Sequence, residues 1–125
     1  MRAKALLYGL GEDTETGRRL RAVLRESAIL ALTVDASQLG ERVERLVSTN
    51  AAPTAAPPPE NAPETEFLLL CGLGERQLDR LLAALRRAGV SVPHKAVLTE
   101  HNRDWTLCKL IEEVAREHAL LQNRP

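Results

Sequence analysis

Aromatic side chains are nearly missing from this 125-residue sequence: Tyr8, Phe67 and Trp105 are the whole set, 2% of the chain. A platform for single-stranded nucleic acid needs successive aromatic faces for bases to stack on, and three scattered rings do not make one. Excess charge is missing too. Seventeen Lys and Arg balance seventeen Asp and Glu, so no global field draws the protein to a polyanion or to acidic lipid. Two cysteines, Cys71 and Cys108, make no disulfide framework, and both read as buried, reduced thiols. No apolar run approaches a membrane span. The run over residues 5–10 is closed at once by Glu12 and Asp13, too short for a signal-peptide core. The expectation is a cytoplasmic protein that takes neither nucleic acid nor membrane, with a core of Leu, Val, Ile and Ala.

What is present is a repetition. Leu6-Leu7-Tyr8-Gly9-Leu10-Gly11-Glu12 is matched by Leu69-Leu70-Cys71-Gly72-Leu73-Gly74-Glu75, and Arg19-Leu20-Arg21-Ala22-Val23-Leu24-Arg25 by Arg80-Leu81-Leu82-Ala83-Ala84-Leu85-Arg86. The register shifts by two residues between turn and helix, which places a small insertion in the first copy. A unit too small to bury its own apolar face must pack on its sister.

Residues 4–8 read as a strand and 13–26 as a helix, with Leu20, Val23 and Leu24 on one stripe. Residues 29–34 read as a second strand. Asp35 or Ser37 can then cap a helix carrying Leu39, Val43 and Leu46. Periodicity fades from about Ser48, and Pro53, Pro57, Pro58, Pro59 and Pro63 among Ala, Thr and Asn have the composition of a linker. Residues 67–71 begin the second half as a strand. A helix follows through Leu78, Leu81, Leu82 and Leu85, with Gly89 as its C′ residue. Residues 95–99 are a fourth strand, and a long final helix carries Trp105, Cys108, Leu110, Ile111, Val114 and His118, with Arg116 and Arg124 toward its negative end. The domain plan is a diverged βαβα half over 1–48, a Pro/Ala-rich linker over 49–65 and a second βαβα half over 66–125. Such alternation favours parallel strands joined by helical crossovers, so the predicted fold is α/β: duplicated βαβα units forming one small, mostly parallel four-stranded sheet flanked by helices.

The two Gly-Leu-Gly turns invite a phosphate-binding reading, with Asp35 placed where a ribose-binding acid would sit. The small residue that a dinucleotide fingerprint needs is absent: Thr14 and Gln77 occupy those places. Glu12, Asp13 and Glu15 also crowd the first helix N-terminus, so glycine as a turn former is the better account. His94, His101 and His118 stand at no metal-ligand spacing and the cysteines form no C-x-x-C pair, so no metal and no cofactor is expected. No G-x-S-x-G elbow is present, and Cys108 lies within a helical pattern rather than at a helix N-terminus. Glu112 and Glu113 read as a solvated helix face.

The most distinctive stretch is Lys95-Ala96-Val97-Leu98-Thr99-Glu100-His101-Asn102-Arg103-Asp104-Trp105. It gathers polar groups and the only tryptophan at the carboxyl end of a strand, where open α/β sheets bind ligands. Lys95, Thr99, Asn102, Asp104 and Trp105 are the candidate ligand-binding residues. They also fit a purely structural role, with Asn102 or Asp104 capping the last helix and Trp105 anchoring its entry.

The second half resembles the uncharacterised prokaryotic family DUF3783. The resemblance runs through Cys71-Gly72-Leu73-Gly74-Glu75, Lys95-Ala96-Val97-Leu98-Thr99 and Asn102-Arg103-Asp104-Trp105-Thr106-Leu107, then Leu110-Ile111-Glu112-Glu113. It marks Lys95, Thr99, Asn102, Asp104 and Trp105 as a signature and implies no particular activity. The family usually has a small residue or proline around Glu100 and His101, so those two depart from it. The first half looks like a diverged copy, with Thr33, Asp35 and Ser37 in place of the signature.

With no complete catalytic constellation, the leading reading is a non-catalytic binding or regulatory module that engages a protein partner or small ligand through residues 99–105. The alternative is a small enzyme or nucleotide- or anion-binding domain at the same sheet edge. There Lys95 would hold the anion, Asn102 would orient the substrate and His101 would handle protons. It requires the Gly9 and Gly72 turns to lie beside the Thr99 loop in a single pocket. A third reading is homo-oligomerisation through an exposed strand edge.

Overall fold

The computed structural model describes residues 3–48 and 62–122. Strands β1 (Lys4–Tyr8), β2 (Leu30–Val34), β3 (Phe67–Cys71) and β4 (Lys95–Val97) form one sheet in the order β2-β1-β3-β4. Helices α1 (Glu15–Glu26) and α3 (Glu75–Arg87) cover one face, and α2 (Val43–Leu46) and α4 (Leu107–Gln122) the other. Because side chains alternate along a strand, Ala5, Leu7, Leu68 and Leu70 meet Leu20, Leu24, Leu81 and Leu85 on the first face. Leu6, Tyr8, Phe67, Leu69 and Cys71 meet Val43, Leu46, Leu107, Leu110 and Ile111 on the second. Both faces of the central strands are thus dry. Each buried leucine there contributes about 1.5–3 kcal/mol relative to exposure.

The sheet is mixed, not mostly parallel. Within each half the pairing is parallel, β1 with β2 and β3 with β4, but β1 and β3 run antiparallel at the centre. The crossover rule binds only strands joined through a helix packed on the same sheet. Between β2 and β3 the only helical elements among the described residues are the turn over Ala36–Gln38 and the four-residue α2, which ends at Leu46; residues 49–61 of the connection lie outside the described residues.

The central ladder is centred on Leu6 opposite Leu69, with Lys4 opposite Cys71 and Tyr8 opposite Phe67. The repeat aligns the same residues, Leu6 with Leu69, Lys4 with Phe67 and Tyr8 with Cys71, so exchanging the halves turns the ladder onto itself. The layer behind the sheet obeys the same rule. Arg42 bridges Thr106, flanked by Val43 N donating to Trp105 O and Leu107 N to Glu41 O, each 2.9 Å. Glu44 N donates to Arg103 O and Cys108 N to Leu39 O, again at 2.9 Å. Each bond has its counterpart with the halves exchanged.

These cross-half bonds explain where the elements depart from expectation. The helix expected through Leu39, Val43 and Leu46 is broken into a 3₁₀ turn (Ala36–Gln38) and the short α2, because the backbone between them pairs with residues 103–108 instead. For the same reason Trp105 precedes the last helix rather than riding on it, and Cys108 falls in the first turn of α4.

Candidate functional site

Loop 98–106 leaves the end of β4 and is held by a reciprocal pair. Thr99 N donates to Asn102 Oδ1 at 2.9 Å, and Asn102 N donates to Thr99 Oγ1 at 3.2 Å. Asn102 Nδ2 donates to Val97 O at 3.1 Å, and the side chain is buried. A buried amide must have such partners, and here they come from its own loop and from the end of β4. Asn102 does not cap α4, nor does Asp104. Thr106 does, its Oγ1 accepting from Lys109 N at 3.2 Å, because it stands directly before the first helical residue.

Around this buried tie the other side chains face out. Glu100, His101, Arg103 and Asp104 are exposed, and Trp105 is half-buried. The His101 ring meets Trp105 edge-on at 5.1 Å, and Lys109 Nζ lies 4.5 Å from the indole centroid on its face. Aromatic edge contact and cation–π attraction each contribute about 0.5–1.5 kcal/mol. Together they fix the only tryptophan as an amphipathic surface feature.

Lys95 does not join this group. It pairs with Leu68 on the face of α1 and α3. Its Nζ donates to Val92 O at 2.6 Å beside Leu82, Leu85 and Arg86.

The glycine turns also separate. Gly72 lines a cleft of about 280 Å³ with Leu98, Thr99, Glu100 and Arg103, completed from the first half by Glu44 and Val47. Gly9 lines another, about 380 Å³, with Tyr8, Val34, Asp35, Ala36 and residues 63–66. In an antiparallel pair the two strand ends point opposite ways, which puts the turns about 20 Å apart. The single pocket required by the catalytic reading is not there; each half has its own cleft at the carboxyl ends of its parallel strands. At Gly9 (φ +71°) a Cβ would stand 2.7 Å from Thr65 O, so glycine there permits both the turn and the close passage of the incoming chain.

The first helix N-terminus is capped by Thr14, whose Oγ1 accepts from Gly17 N at 2.9 Å, while Glu15 pairs with Arg19. Asp35 accepts from Ser37 N at 2.9 Å and Gln38 Oε1 accepts from Asp35 N at 3.1 Å, a capping box on the 3₁₀ turn. Its carboxylate serves the chain's own backbone.

Sequence reasoning missed what the first half brings to the Gly72 cleft. Lys4 is buried opposite Cys71, and its Nζ donates to Val47 O at 2.8 Å, fixing the end of α2 against the cleft wall. The signal was a lysine heading an otherwise apolar strand, aligned by the repeat with Phe67. Arg103 and Glu44 meet across the same cleft at 3.9 Å, an exposed and therefore weak pair.

Titration of the thiols and phenol follows from burial. Cys71 is pushed up to about 11 by desolvation, only partly offset by the Lys4 ammonium. Cys108 is raised by burial and then by the hydrogen bond and charge of Glu112, 3.4 Å away. A helix N-terminus ordinarily lowers a thiol pKa, but the Glu112 carboxylate one turn on opposes that here. Tyr8 is raised by burial and by the charges of Cys108, Asp35 and Glu64, and its hydroxyl donates to Pro63 O at 2.7 Å. Among the described residues no three of His, Cys, Asp and Glu gather where a metal could bridge them, and no helix is long and apolar enough to cross a membrane.

The fold and loop define a small mixed α/β sheet with one ordered polar loop at each end of the central pair. Residues 66–121 match the family model described as Domain of unknown function (DUF3783), so the second half of the chain carries that family's pattern. No curated protein and no solved structure matches the chain.

Proposed function

We propose that the protein is a non-catalytic binding or regulatory module that engages a protein partner or small ligand through the surface of residues 99–105. The observation that carries this is the division of labour in the loop. Thr99 and Asn102 spend their hydrogen bonds holding it, while Glu100, His101, Arg103, Asp104 and the flank of Trp105 face solvent on that fixed frame. A tryptophan pinned between an imidazole and an ammonium, ringed by charges, is the kind of anchor that binding surfaces use. In this reading Thr99 and Asn102 are positioning residues, Asp104 and Trp105 meet the ligand, and Lys95, on the other face of the sheet, takes no part in the surface. The halves are duplicated copies, the first serving as scaffold. The thiols suit a reducing cytoplasm, since Cys71 and Cys108 are both free.

A second reading, a small ligand seated at the carboxyl edge, draws on the Gly72 cleft. Thr99 and Arg103 stand there, but so do the carboxylates of Glu44 and Glu100, which oppose an anion.

Trp105 is the chain's only tryptophan, so its emission reports on the proposed surface alone. A metabolite, nucleotide and peptide screen that follows both melting and indole fluorescence is the test. A binder that raises the melting midpoint, by about 2.7 kcal/mol of stabilisation at a hundredfold excess over its Kd, should also shift the emission and be lost in Trp105→Phe and Asp104→Ala. Stabilisation with unchanged emission and no response to either variant places binding elsewhere and overturns the assignment. Turnover that depends on Lys95 or Asn102 overturns the non-catalytic reading.

A further inference from the structure

The bonds that join the halves can be sorted by what each side contributes, and the sorting is symmetrical. On the sheet, the second half offers β3 with Leu69 at the centre and Phe67 and Cys71 two residues to either side. Behind the sheet it offers the amides of Leu107 and Cys108 and the carbonyls of Arg103 and Trp105. The first half answers with the aligned groups: the amides of Val43 and Glu44 and the carbonyls of Leu39 and Glu41. A surface that presents donors and acceptors in this reciprocal order is complementary to its own copy, which is the defining property of an isologous two-fold interface. All of these are backbone groups, so they do not depend on the residues by which the halves differ. Where side chains do enter, replacing the first half by a second copy would set Phe67 opposite Cys71 in place of Lys4 and Tyr8, leaving the seam wholly apolar.

We propose that the second half carries a self-pairing surface, β3 together with segment 103–108, that takes the first half as partner in the intact chain and takes a second copy of the second half once the tether is cut. The tether explains why the intact chain pairs within itself. Covalently joined halves meet at an effective concentration on the order of millimolar, above any ordinary concentration of a second chain. The first half is then the resident occupant of a dimerisation surface, and the Gly72 cleft, which includes Glu44 and Val47, is completed only when that surface is occupied.

The test begins with the full chain, folded with a protease site set within residues 49–61, then cut and equilibrated. Native mass spectrometry should show a species of twice the second-half mass beside the paired halves. Paired halves and single fragments alone would overturn the proposal. A second measurement reads the axis. In the uncut chain, Arg42→Cys with Thr106→Cys should close a disulfide within one molecule, since a pair of this non-hydrogen-bonded type has its Cα atoms about 4.5 Å apart. Failure to close removes the axis and the proposal with it. In the cut protein Thr106→Cys alone should link second half to second half. If the thiols at 106 stay reduced under the same oxidation, self-pairing does not occur.

Discussion

Each half closes the turn beyond its outer strand with the same device, and the two versions are made of different residues. In the first half Asp35 and Gln38 exchange side-chain and backbone hydrogen bonds around an exposed 3₁₀ turn. In the second, Thr99 and Asn102 do so around a buried amide that has a third bond, to Val97 O. The first version leads into the four-residue α2, the second into the sixteen-residue α4. Backbone geometry at the seam is thus shared, while the depth of the tie is not. The second half has committed an otherwise costly buried polar group to holding its loop, which is what a rigid presentation of Trp105 requires.

The largest effects should fall at the shared centre. Leu6→Ala and Leu69→Ala each empty a fully buried site on the same axis, so each should cost about 2–5 kcal/mol by urea unfolding, and the two costs should be nearly equal. A cost at Leu69 several kcal/mol above that at Leu6 would mean that the halves share the seam in geometry only. The loop ties should split the other way. Asn102→Ala removes a buried amide and leaves Thr99 N and Val97 O without their partner in a part-buried setting, at about 1–3 kcal/mol, whereas Gln38→Ala at the first-half turn should cost about 1 kcal/mol or less. Equal losses would erase the distinction between a deep tie and a shallow one.

How much of this the sequence declares follows from range. β1 and β3 are where an apolar run before glycine puts them, and Gly89 closes α3 as its position implies, because those are local preferences. The antiparallel centre is not local: it is decided by which edges two βαβ units turn to each other, and no local preference within either unit makes that choice. The broken helix over residues 36–46 has the same origin. Its apolar spacing is truly helical, but four hydrogen bonds to the other half outweigh it. Within loop 98–106 the residue types were legible and their duties were not. Asparagine at 102 suits a cap as well as a ligand contact, and only the neighbouring strand end shows that Val97 O takes its amide. Lys95 shares the stretch in sequence and faces away from it in space, since its strand register assigns it to the α3 side.

The central pair also sets Lys4 against Cys71 where the aligned positions hold Tyr8 against Phe67, so the halves should respond differently to alkali. The Cys71 thiol titrates at about 11, above the ordinary value of 9.0. Below pH 9 the thiol is neutral folded or unfolded, and stability is unaffected. Between pH 9 and 11 the unfolded thiol ionises while the folded one keeps its proton, so stability falls as pH rises, by on the order of 2 kcal/mol. Cys71→Ala should flatten that part of the pH–stability curve at some cost from the cavity. A slope between pH 9 and 11 that persists unchanged in the variant would assign it to other groups. In the folded protein at pH 8, Cys71 should resist alkylation, and Cys108, half-buried, should react first.

The smallest and most symmetrical contrast lies at the ends of α1 and α3. Ile29 N donates to Leu24 O and Val90 N to Leu85 O, both at 2.9 Å, across residues in the left-handed region: Ala28 at φ 59° and Gly89 at φ 71°. The same cap is therefore closed once with a Cβ and once without. A left-handed alanine costs roughly 1 kcal/mol relative to glycine, so Ala28→Gly should stabilise the protein by about that much, less what the freer unfolded chain takes back. Gly89→Ala should destabilise by a similar amount, because its new Cβ would meet only the Arg19 guanidinium at 3.6 Å and the penalty is backbone strain alone. Exchanging both at once should nearly cancel, since the caps are separate and their effects add. A double variant well below wild type would show that the second cap bears more of the fold than the first, which would carry the asymmetry of the loops through to the helices behind them.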